Sequence, residues 1–119
     1  MVTEALTLTE SLARGDDTPP VRDLTIGEAL REAAQEAPDA TALVAGSQEP
    51  LPHRSWTYAE LLDEATRAAH ALLGRFEPGE RVAVWAPNVP EWVILEYACG
   101  LAGVILVTVN PSYQPRELA

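Results

Sequence analysis

The 119-residue chain is 47% hydrophobic and 22% charged, the balance of a soluble globular protein with a packed core rather than a disordered or fibrous one. Its cations are eight arginines and no lysine, set against eighteen acidic residues for a formal net charge of -10. That balance excludes nucleic acid, whose binders need clustered cations to displace counterions from phosphate, and an anionic membrane surface would repel the chain. Without lysine there is no ammonium to grip a phosphate or form a Schiff base. One cysteine, Cys99, rules out an internal disulfide framework and a cysteine-rich zinc site. With no disulfide framework to point to an oxidising compartment, the expected compartment is cytoplasmic, and residues 1–15, with Glu4 and Glu10 but no leading positive charge, are unlike a secretory or transit peptide.

Residues 1–23 read as a partly disordered leader, because a Gly-Asp-Asp-Thr-Pro-Pro run sits among polar residues without apolar periodicity. The domain, residues 24–119, starts at Thr25-Ile-Gly-Glu28, a capping box. Ile26, Ala29, Leu30, Ala33, Ala34 and Ala37 then fall on one helical face, and Pro38 stops the helix. Ala42-Leu-Val44 and Ser55-Trp-Thr57, separated by a loop with Gly46, Pro50 and Pro52, predict a small antiparallel strand pair. Thr57-Tyr-Ala-Glu60 is a second capping box, and Tyr58, Leu61, Leu62, Ala65, Ala68, Ala69, Leu72 and Leu73 keep helical spacing up to Gly74.

Glu77-Pro-Gly-Glu80 predicts a turn with glycine at the position of positive φ. Arg81-Val-Ala-Val-Trp-Ala86 is apolar on consecutive positions, the pattern of a strand covered on both faces. Asn88 is expected to cap the next helix, with Pro90 in its first turn; that helix is apolar nearly all round and ends at Gly103. Val104-Ile-Leu-Val-Thr-Val109 is the last strand candidate, so strand, helix and strand make a right-handed βαβ crossover with parallel strands. A new helix starts around Pro115. The amphipathic helices offer one apolar stripe each, too little to cover the third helix, so the fold reads as incomplete and the chain as part of a larger α/β domain exposing its 90–109 region.

No residue is assigned a catalytic, cofactor-binding or metal-binding role. Residues 92–109 approach membrane-spanning length, but Gly103 followed by β-branched residues points to a helix-to-strand break, and Glu96 would be costly in hydrocarbon. Cys99 reads as a core residue. His53 and His70 read as solvated and share no metal-ligand spacing. Asp63, Glu64, Glu28 and Glu32 read as solvated helical charge, with Arg67 an i,i+4 partner of Asp63. Pro87-Asn88-Val89 and Asn110-Pro-Ser-Tyr113 each leave a strand end, where open α/β sheets often bind ligands, but the first lacks the glycine of a phosphate cradle and both also suit simple caps and turns. Gly100-x-x-Gly103 lies at the wrong end of its helix for phosphate.

Taken in order, Trp56-Thr-Tyr-Ala-Glu-Leu61, Pro78-Gly-Glu-Arg-Val-Ala83, Pro87-Asn-Val-Pro-Glu-Trp92 and Val109-Asn-Pro-Ser-Tyr113 with Arg116-Glu-Leu118 resemble the opening of the AMP-forming acyl-CoA synthetases of the adenylate-forming superfamily. The last stretch looks most like the fatty-acyl and medium-chain acyl-CoA ligase branch. The resemblance implies the N-terminal part of the large domain of an adenylate-forming enzyme. It further implies that the full-length protein activates a carboxylic acid with ATP and Mg2+ as an acyl-adenylate and transfers it to CoA. The family's lysine-ended loop, Tyr-Gly-x-Thr-Glu segment, ribose-binding Asp and catalytic lysine have no match here, so the 119 residues alone are expected to be inactive. The alternatives are an adenylation domain that loads a carrier protein and a stand-alone, non-catalytic α/β binding module.

Overall fold

The structure, a computed structural model, describes residues 15, 18, 20–46 and 53–117. Most of the 1–23 leader, the central part of the Pro50 and Pro52 loop and the last two residues lie outside them. Two helices begin where a threonine satisfies an orphan backbone donor. At α1 (Ile26–Glu36), Glu28 N donates to Thr25 Oγ1 at 3.2 Å while Thr25 N donates to Glu28 Oε2 at 2.8 Å. At α2 (Tyr58–Leu73), Thr57 and Glu60 repeat the exchange at 3.2 and 2.8 Å. Both capping boxes are those expected from the sequence. Between these helices, β1 (Thr41–Val44) pairs antiparallel with β2 (Ser55–Thr57), with Leu43 opposite Trp56.

The crossover follows. Glu80 N donates to Glu77 O at 3.0 Å and Gly79 sits at φ 90°, the turn predicted before β3 (Arg81–Trp85). The helix α3 (Pro90–Ala102) is capped by Val89, extended at φ -126° and ψ 155°, and not by Asn88. Pro90 is the reason. Its ring clashes with a preceding residue in the helical region, so residue 89 must be extended and the helix cannot start earlier. Gly103, left-handed at φ 71°, closes α3 and feeds β4 (Ile105–Val109), so residues 92–109 are a helix and a strand. Among the described residues no helix is long and apolar enough to cross a membrane. Strands β3 and β4 pair in parallel, Arg81 with Ile105 through Trp85 with Val109. Gly79 N donates to Gly103 O and Ile105 N to Glu80 O, both at 2.8 Å, tying the two entry turns together at the amino ends of the strands. Residues Pro115–Glu117 form a single 3-10 turn where a helix was expected to start.

Two adjoining clusters make the core, and α2 contributes to both. Leu30, Trp56, Leu61, Ala65 and Ile94 form one; Ala69, Ala98, Cys99, Ala102 and Val104 form the other. Small residues let the helices approach closely. A Cβ on Gly27 would lie 3.0 Å from Leu101 Cδ2, and one on Gly100 only 2.6 Å from Ile26 Cγ1, so α1 rests almost directly on α3. The buried line of α1 accordingly runs through Gly27 and Leu30, while Ile26 and Ala29, expected on that face, are exposed.

Close packing also corrects the expectation that α3 lacks cover. With α1, α2 and the inner face of the sheet around it, its apolar residues are buried or half-buried, and only Glu91 and Glu96 are exposed. The uncovered apolar surface lies elsewhere. Strand β3 alternates exposed and half-buried positions rather than being covered on both faces. On the outer face of the β3–β4 sheet, Trp85, Ile105 and Val107 are 50%, 45% and 39% exposed, because α3 packs on the other side. Of the 90–109 region, only the strand part is open.

Candidate functional site

Parallel register sets the carboxyl ends of β3 and β4 side by side, with Trp85 opposite Val109. The segments that leave there frame a crevice of about 380 Å³. Ala86, Val109 and Pro111 form apolar walls, Asn88, Thr108 and Asn110 supply amide and hydroxyl groups, and Trp92 and Tyr113 add aromatic surface. Asn110 shapes its side of the rim: its Oδ1 accepts from Ser112 N at 2.9 Å and its carbonyl accepts from Tyr113 N at 3.0 Å. This side-chain turn bends the chain beside the strand end. Beyond it, Gln114 N donates to Glu117 Oε2 at 2.6 Å and holds the 3-10 turn in place.

The two loops left unassigned in the sequence, residues 87–89 and 110–113, therefore share one site through Asn88, Asn110, Pro111 and Tyr113. Ala86, Trp92, Thr108 and Val109 were missed. Their signal was positional: three lie at strand ends, and Trp92 follows Asn88 by four residues at the start of α3.

The lining holds no cation and no carboxylate. Amide and hydroxyl groups hydrogen-bond uncharged partners, and aromatic faces pack flat apolar groups, but neither neutralises phosphate. At the start of α3, Pro90 also removes one of the backbone N–H groups that a helix N-terminus would offer an anion. Among the described residues no group of three or more His, Cys, Asp or Glu could hold a metal ion. Among the described residues, the lining of this crevice therefore does not fit the phosphates of ATP or CoA, nor Mg2+.

Cys99 is 1% exposed, and burial pushes its thiol up from its ordinary value. His70 is exposed as expected, but His53 is half-buried, with Nδ1 enclosed and without a partner among the described residues. The neighbouring Arg54 extends the hairpin ladder, its carbonyl accepting from Ala45 N at 2.8 Å. A second depression, about 180 Å³, lies over Trp56 and the acidic side of α2. Its carboxylates are engaged: Glu60 caps α2, Glu64 Oε1 accepts from Trp56 Nε1 at 3.1 Å, and Asp63 pairs with Arg67 at 3.3 Å, the predicted i,i+4 partner. Above it, the Arg54 guanidinium stands 5.3 Å from the Trp56 ring and pairs with Glu91 at 2.8 Å, linking the hairpin to the start of α3.

Comparison with known proteins gives consistent matches. The model of the AMP-binding enzyme family matches residues 30–119. The chain is 35% identical over 113 residues to the mitochondrial medium-chain acyl-CoA ligase ACSF2 of Danio rerio, covering 94% of this chain and 18% of that protein. The Bos taurus ACSF2 is 40% identical over 95 residues, covering 79% of this chain and 15% of that protein. Among solved structures, a Mycobacterium tuberculosis fatty acyl CoA synthetase superposes with a TM-score of 0.71 at 32% identity, covering 79% of this chain and 18% of that one. The N-terminal domain of FACL13 from the same organism gives 0.71 at 31% identity, covering 80% of this chain and 24% of that one. The chain thus spans less than a fifth of the length of these two curated relatives. The cytoplasmic expectation is overturned here, since the ACSF2 relatives of zebrafish, cattle and mouse are mitochondrial proteins. A lone cysteine could not make that distinction, because it excludes a disulfide framework without naming a reducing compartment.

Proposed function

Because the chain belongs to the AMP-binding enzyme family, we propose that it forms the opening scaffold of an acid–CoA ligase that activates a fatty acid of medium chain length. The substrate carboxylate attacks the α-phosphate of ATP with loss of pyrophosphate, and the CoA thiol then displaces AMP from the acyl-adenylate. One observation carries the reading: the 35% identity to a medium-chain acyl-CoA ligase runs through 94% of the chain, so the likeness is not confined to one motif. Within such an enzyme this segment supplies the βαβ unit and the neutral crevice at its strand ends. The crevice itself offers no cation, so in this reading charge neutralisation at the reacting phosphate falls to residues outside it. The same likeness to CoA ligases weighs against a carrier-loading domain and against a non-catalytic module.

The test compares two polypeptides, these 119 residues alone and a polypeptide of its relatives' length that begins with them. The longer one is expected to exchange pyrophosphate into ATP when given a medium-chain fatty acid, and to form one thioester per AMP once CoA is added. Adenylate formation without any thioester would overturn the CoA reading. Pyrophosphate exchange by the 119 residues alone would overturn the scaffold reading.

A further inference from the structure

We draw no further inference here: the strongest candidate, the neutral crevice between the carboxyl ends of β3 and β4, belongs to the site already described, and nothing in the structure shows what covers the next strongest, the outer apolar face of that sheet.

Discussion

Glu28 closes the first capping box with a charge as well as a shape. Its carboxylate accepts from the Thr25 backbone N–H and hydroxyl, and these bonds, with a smaller contribution from the Arg31 charge, hold its carboxyl below the ordinary value of 4.5. Folding therefore favours the ionised form. The stabilisation is fully present above the unfolded value and is lost as pH falls through the lower folded value. The urea midpoint of the chain should drop on acidification below about 4.5, and Glu28→Gln, which preserves the cap geometry, should flatten part of that drop; an unchanged profile would dismiss the carboxylate's role. At the second box, Thr57→Ala should cost about 1 kcal/mol by the same measurement, with Thr57→Ser recovering most of it. Cys99 offers a check on the core itself. Enclosed at 1% exposure with a raised thiol, it should resist a disulfide reagent until the chain unfolds, so rapid labelling under native conditions would contradict its placement. Both caps were legible in the sequence because they are exchanges between residues three apart. The enclosed face of His53 was not, since the burial of a single loop residue is set by tertiary packing rather than by its sequence neighbours.

Among the elements, the crossing of α1 and α3 is the most exacting contact. Gly100 faces Ile26 at a distance where no Cβ fits, so Gly100→Ala must push the helices apart or force Ile26 off its rotamer, at a cost of about 1–3 kcal/mol. Pairing it with Ile26→Ala removes the obstructing atoms. A double-mutant cycle in thermal or chemical denaturation should then show a favourable coupling, whereas strictly additive effects would place the strain elsewhere. Gly103 is constrained differently: its left-handed φ of 71° makes Gly103→Ala unfavourable by about 1 kcal/mol although the nearest atom to a new Cβ, on Pro78, lies at an ordinary 3.5 Å. Element types and order were readable from periodicity and from glycine and proline punctuation. The glycine contact was not, because nothing local marks Gly27 and Gly100 as partners. For the same reason Ile26 and Ala29 were assigned to the buried stripe of α1.

For the whole molecule, the question is which surface remains apolar. Trp85, Ile105 and Val107 stand open on one face of a two-stranded parallel sheet, an arrangement that in parallel sheets is ordinarily covered on both sides. The isolated chain should bind an apolar fluorescent dye, and Ile105→Thr with Val107→Thr, which keep β-branching, should reduce that binding without lowering helical circular dichroism. Dye binding that survives both changes would locate the open surface elsewhere. The sequence correctly anticipated an incomplete layer but placed the deficit on α3, because hydrophobic pattern reports how apolar a helix is and not how closely glycine and alanine let its neighbours approach. The crevice was half legible for a related reason. Each loop could be seen leaving a strand end, yet only parallel register brings Asn88 and Asn110 to one site.

The three tryptophans divide these regions among themselves: Trp56 is buried in the core, Trp92 lines the crevice and Trp85 stands on the open sheet face. Variants retaining one indole at a time would therefore carry three separate optical probes. Quenching by a small solute should be strongest for Trp85 and weakest for Trp56, and a ligand entering the crevice should alter the emission of Trp92 while leaving that of Trp56 unchanged.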